Sequence, residues 1–152
     1  MSFYQLLSDY YFLNNKITEG KKICEYIKLC GDKNTDFLIG HKLHSKNLLD
    51  DAERYYLKYL KKNPNDVEVL INLGIVKEQK NKLDEAINIY KKAIILDPYN
   101  ENAHYNLGVI YWKLNKWDEV VKEFEIVLKL KPHHALAKKY LFIAKKKVRK
   151  NY

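Results

Sequence analysis

The sequence predicts an all-α fold built as a stack of repeated helix pairs, and three observations carry that reading. Pro64, Pro98 and Pro132 stand 34 residues apart. Gly40, Gly74 and Gly108 keep the same interval, as do Ile39, Leu73 and Leu107 just before them. Between these markers the apolar residues recur at helical spacing. A fixed period of this length is one supersecondary unit copied along the chain, each copy burying its neighbour's apolar face.

The first unit, about residues 1–32, is degenerate. Tyr4, Leu7, Ser8, Tyr11, Gly20 and Cys24 fit the pattern, but Asp32 falls where the proline should be. The next unit, 33–66, starts two residues early, which shortens the first connection; it keeps Ile39, Gly40, Ala52, Tyr56 and Pro64 and opens on Asp36. In the third, 67–100, VEVLINLGIVKEQ reads as a helix with Val69, Leu70, Leu73 and Val76 on one side. A turn at Lys80-Asn81-Lys82 leads to LDEAINIYKKAIIL, with Leu83, Ala86, Ile87, Tyr90, Ala93 and Ile94 at helical spacing. The fourth, 101–134, repeats the plan as ENAHYNLGVIYWK and WDEVVKEFEIVLKL. ALAKKYLFIAKKKVRK, residues 135–150, then reads as a terminal capping helix. Proline stops each later unit, and Asn65-Asp66, Asn100 and His134 are placed to cap the helix that follows. The whole chain, 1–152, reads as one domain.

A glycine inside a helix costs about 1 kcal/mol against alanine, so three in register need a compensating close approach. Small Ala52 and Ala86 are expected to face Gly40 and Gly74, with Val120 opposite Gly108. Tyr56, Tyr90 and Phe124 would fill the space one turn further on.

Composition bounds the rest. Apolar residues make up 47% and charged residues 31%, the balance of an ordered amphipathic protein. No run of 18 apolar residues offers a membrane span, and MSFYQLLSDYYF lacks the basic start and small-residue cleavage site of a signal peptide. Cys24 and Cys30, six apart on one expected helix, read as buried free thiols, which fits a reducing cytoplasm. The net charge of +9 is almost all lysine, with Arg54 and Arg149 the only arginines. Codons for Lys, Asn, Tyr and Ile are rich in A and T, so a biased genome supplies much of this charge without a nucleic-acid partner.

The chain resembles the tetratricopeptide repeat family over about residues 2 to 134. The match runs through Leu70, Leu73, Gly74, Ala86, Tyr90 and Pro98, and again through Leu107, Gly108, Tyr111, Phe124 and Pro132. His104 stands where a bulky apolar residue is usual. The resemblance implies a right-handed superhelical solenoid of about four helix pairs, its inner groove lined by the first helix of each. The groove would carry Gln5, Asp9 and Phe12, then Asn34, Phe37, His41 and His44. Glu68, Ile71, Asn72, Ile75 and Glu78 follow, then Asn102, Tyr105, Asn106, Val109 and Trp112, and finally Lys139, Tyr140 and Ile143. Such a floor of apolar, aromatic and amide groups suits an extended or helical peptide.

Asn72 and Asn106 lie one repeat apart, and an amide that both donates and accepts can bridge to a peptide backbone without reading its sequence. Leu38 and Tyr140 interrupt that ladder on either side. The family's carboxylate clamp for acidic C-terminal peptides is not expected. Its slots hold Gln5, Asp9, Leu38, Glu68 and Asn72, or one repeat later Phe37, His41, Asn72, Asn102 and Asn106, with no cation in either frame. Trp112 is the expected exposed anchor, and Trp117 is expected in the core.

Other chemistry finds little support. His41 and His44 share a helix face but lack a third metal ligand. No nucleophile motif, phosphate-binding glycine loop or catalytic carboxylate pair is present, so neither enzyme activity nor a cofactor or metal is expected. The basic end (Lys138, Lys139, Lys145, Lys146, Lys147, Arg149 and Lys150) has structural reasons in the polar cap and the helix dipole. Weak, sequence-blind binding to nucleic acid or an anionic membrane is the rival reading. Leu141 and Phe142 stand where earlier units have their Leu-Gly pair, so they are expected to face a second helix that does not follow. Contact with another chain there, a homodimer included, or with a continuation of this one, would bury Phe142; the alternative is that its ring tucks against the second helix of the fourth unit. The reading reached is a non-catalytic adaptor that holds a peptide or helix of another protein, with a purely structural module as a further alternative.

Overall fold

The structure, a computed structural model, describes residues 8–9, 11–29 and 34–150. The readings at Tyr4, Gln5, Leu7, Cys30 and Asp32 therefore lie outside the described residues. Eight helices follow one another: α1 Ile17–Leu29, α2 Thr35–Ser45, α3 Leu49–Leu60, α4 Val67–Gln79, α5 Leu83–Leu96, α6 Glu101–Lys113, α7 Trp117–Leu130 and α8 Ala135–Lys150. A further helical stretch, residues 11–13, precedes α1. Among the described residues there is no strand, and no helix is long and apolar enough to cross a membrane.

The helix pairs are closed by one repeated turn. Asn15, Asn47, Asn81 and Asn115 all have left-handed backbones, with φ of 58°, 58°, 58° and 56°. Each amide N–H donates to the carbonyl three residues back, and the next N–H reaches five back, as in Asn81 to Glu78 and Lys82 to Lys77, both 2.9 Å. This is the Schellman closure, which uses up two of the carbonyls orphaned at a helix end. Asparagine is there because it tolerates positive φ better than other residues with a Cβ. At the other helix ends Asp66 accepts from the Val69 N–H at 3.1 Å and Asn100 from that of Ala103 at 3.2 Å. His134 Nδ1 does the same for Ala137 at 3.2 Å.

The chain divides into two compact units, residues 1–64 and 65–152. In the first, α2 packs on α3 and α1 on α2, around fully buried Ile39, Leu43, Ala52 and Tyr56. Asp36, buried at the start of α2, is paired with Lys58 of α3 at 3.0 Å. Ser8 and Cys24 share a buried hydrogen bond of 3.0 Å. Phe12, expected in the groove, is instead buried against Gly20, where an added Cβ would stand 2.7 Å from its ring. The glycine of that pair lies on the second helix and the ring on the first, the reverse of the later pairs.

In the second unit α4 packs on α5, α6 on α7, and α8 on α7, while α5 and α4 both touch α6. Val76, Ala86, Tyr90, Ala93, Ile110, Val120, Phe124 and Val127 are fully buried. The nearest atoms to the register glycines belong to aromatic rings rather than to the small residues expected opposite them. A Cβ on Gly40 would sit 2.8 Å from the ring of Tyr56, and one on Gly108 3.2 Å from that of Phe124; Gly74 lies still closer under Tyr90. The aromatic ring comes close against the glycine because a hydrogen there leaves room for it, and the buried ring area offsets the helix penalty. Ala52, Ala86 and Val120 are fully buried.

Candidate peptide-binding face

In α6, Asn102, Tyr105, Asn106, Val109 and Trp112 recur at spacings of three and four, which puts them on one helix face. Asn102 is exposed and the other four are half-buried. On the adjacent α4, Asn72 and Ile75 are half-buried, whereas Ile71 is buried and serves as floor. Tyr140 of α8, half-buried, reaches Trp112 at 4.9 Å between ring centroids and stacks on Phe124 at 5.4 Å, the planes 16° apart.

Tyr105 is held from two sides. Its ring stacks on His134 at 4.8 Å and meets the edge of Phe124 at 5.7 Å. His134 cannot swing away: Nδ1 accepts the Ala137 N–H, so the proton is on Nε2, which points to Glu101 at 3.3 Å. Burial, and then the neighbouring Tyr140, push the Tyr105 hydroxyl above its ordinary pKa, so it stays a neutral donor at physiological pH. The face thus presents rigid rings interleaved with amides. Rings supply area at low entropic cost, and the amides of Asn72, Asn102 and Asn106 can pair with a peptide backbone.

Trp117, expected in the core, is only half-buried: it meets Trp112 edge-on at 5.1 Å, and Lys147 lies over it at 5.8 Å. Glu78, a groove candidate, accepts from Lys113 at 2.7 Å and lies 3.5 Å from the Tyr90 hydroxyl. Glu68, Lys139 and the aliphatic Ile143 lie further out, the first two exposed.

In the first unit, Phe37 is half-buried beside Tyr59 at 5.9 Å and Tyr56 at 6.2 Å, and exposed His41 lies 6.2 Å from it. Asp9 is paired with Lys42. Asn34 lies 3.5 Å from the Tyr59 hydroxyl, and His44 turns its ring to the edge of Tyr56 at 6.3 Å. Among the described residues no cluster of three His, Cys, Asp or Glu could hold a metal.

Two polar pairs with at least one buried member escaped the sequence reading. His104, 5% exposed, binds Glu123 at 2.7 Å through Nδ1 and the Pro98 carbonyl at 3.1 Å through Nε2. A carbonyl only accepts, so Nε2 carries a proton. The short contact at Nδ1 then needs a second one, shared with the carboxylate. Buried Lys77 is paired with Glu85. The signal available for the first pair was a glutamate set within the buried stripe of α7, between Val120, Phe124 and Val127.

Family profiles match in three places: one described as TPR repeat covers residues 78–115, and two described as tetratricopeptide repeat cover 55–88 and 101–134. No curated protein sequence matches the chain. Solved structures do. "Crystal structure of MamA" superposes with a TM-score of 0.81 at 18% identity, covering 96% of this chain and 84% of that one. "Crystal structure of YrrB: a TPR protein with an unusual peptide-binding site" gives 0.73 at 23%, covering 94% and 73%. The Arabidopsis OM64 TPR domain gives 0.71 at 19%, covering 75% and 94%. These likenesses establish an all-α solenoid of helix pairs with a terminal helix. With profile matches from residue 55 to 134, over half its length, the chain belongs to the tetratricopeptide repeat family.

Proposed function

We propose that this protein is a non-catalytic interaction module that binds an extended or helical peptide of another protein across α4, α6 and α8. The observation that carries the reading is the run of held aromatic rings, Tyr105, Trp112 and Tyr140, interleaved with Asn72, Asn102 and Asn106. Likeness to a solved repeat protein whose title names a peptide-binding site supports it. A few anchors and two or three amides suit an affinity on the order of micromolar, since each net hydrogen bond adds only about 0.5 to 1.5 kcal/mol. Phe37 and His41 offer a smaller face of the same kind in the first unit.

The test is a peptide-library selection on the intact chain. Selected peptides should lose about tenfold or more in affinity on Trp112→Ala, and on Asn72→Ala with Asn106→Ala, with helicity kept. Selected peptides that bind both variants as tightly as the parent would show that the face is not the site.

A further inference from the structure

The chain covers the same first-helix face three times with a second helix. That face is Asp36, Ile39, Gly40 and Leu43 in α2, then Leu70, Leu73, Gly74 and Lys77 in α4, then His104, Leu107, Gly108 and Tyr111 in α6; all twelve residues are buried. The equivalent positions of α8 are Lys138, Leu141, Phe142 and Lys145. Lys138 and Lys145 are exposed, Leu141 is half-buried, and Phe142 keeps 61% of its surface in solvent. Lys146 lies over the Phe142 ring at 4.3 Å.

Charge says what would cover this face. Wherever the covered face carries a charged or ionisable side chain, the covering helix supplies the opposite group: Lys58 for Asp36, Glu85 for Lys77, Glu123 for His104. The α8 face carries Lys138 and Lys145, with Lys146 and Arg149 beside them, and among the described residues only Lys145 has an acid in reach, Glu125 of α7 at 2.8 Å. A second copy docking α8 to α8 would bring these cations against their own kind, which costs free energy and sets the wrong register. A helix with carboxylates would not. Phe142 adds a steric term. Rings meet glycine in the other pairs, so an exposed ring on the first helix asks for a small residue on the second, as Phe12 has in Gly20.

We infer that the open face of α8 docks an acidic amphipathic helix of another protein, its glycine or alanine stripe on Phe142 and Leu141 and its carboxylates toward Lys138 and Lys145. This surface is separate from the peptide-binding face, since it uses the side of α8 away from Tyr140.

The test uses the full chain and two labelled synthetic helices of about four turns. One has an alanine and glycine stripe flanked by glutamates; its twin has lysine in place of each glutamate. At physiological salt the acidic helix should bind at least about tenfold tighter than its twin. Lys138→Glu with Lys145→Glu should reverse that order, and Phe142→Ser should weaken the acidic helix about tenfold with the circular dichroism unchanged. Equal binding of both helices, no binding of either at millimolar concentration, or indifference to Phe142→Ser would overturn the inference. So would a wild-type dimer that Phe142→Ser dissolves, or tight binding of single-stranded RNA or phosphatidylserine vesicles that outcompetes the acidic helix.

Discussion

A methyl group on Gly74 would enter the ring of Tyr90, while one on Gly108 would come only to 3.2 Å from Phe124. Gly74→Ala gains helix propensity of about 1 kcal/mol but forces a buried ring to move, at about 1 to 3 kcal/mol or more. The expected outcome in urea unfolding is a net loss for Gly74→Ala and a smaller change, near zero, for Gly108→Ala. The turns make a second residue-scale prediction. Asn81→Gly should be neutral or slightly stabilising and Asn81→Ala should cost about 1 kcal/mol, because the closure needs positive φ. Both features were half-legible. The glycine period is plain in the sequence, but nothing in a one-dimensional pattern says that a ring comes directly against the glycine rather than one turn away. Likewise one turn was read at Lys80-Asn81-Lys82, whereas the recurrence of asparagine at all four turns carried the backbone signal.

Between elements, the buried pairs decide more than the exposed ones. His104→Leu would leave the Glu123 carboxylate buried without its partner and should cost about 3 to 5 kcal/mol; adding Glu123→Leu should restore most of it, as a double-mutant cycle in denaturant would show. The contact between α1 and α3 is only half-buried. Asp51 accepts from Lys21 at 2.8 Å and Arg54 at 2.7 Å. The Lys21 hydrogen bond, despite some burial, holds the Asp51 carboxyl below its ordinary pKa. A folded-state value below the unfolded one means stabilisation that is present at neutral pH and lost as pH falls through about 4 and below. Asp51→Asn should therefore cost a few tenths to about 1 kcal/mol at pH 7, and the difference from wild type should vanish near pH 2 in thermal unfolding. Helix ends at this scale were legible from Asp66, Asn100 and His134, because a cap is a local hydrogen bond. The His104 pair was not, because its partner lies on another helix and only packing brings the two together.

At the scale of the molecule, period and proline spacing were enough to read the stack of helix pairs, since a repeat encodes its own packing partner. The proposed binding face was legible as a list of positions on α4, α6 and α8. What the list missed is which of them are engaged by the protein itself: Phe12 in the core, Glu78 tied to Lys113, Ile71 beneath the surface. Lys145, Lys146 and Lys147 of α8 are exposed, and Lys145 has Glu125 at 2.8 Å, so a phosphate there would be held by a few solvated charges alone. Nucleic-acid binding should accordingly be weak and steeply lost with salt; a filter-binding titration at two ionic strengths measures it. The most direct test of the central claim is amide and side-chain shift mapping by nuclear magnetic resonance, with a library-selected peptide titrated into the intact chain. The account predicts saturable shifts at Asn72, Tyr105, Asn106, Val109, Trp112 and Tyr140. Shifts that leave these residues still and gather elsewhere, on the lysines of α8 or on the far side of α5 and α7, would contradict it.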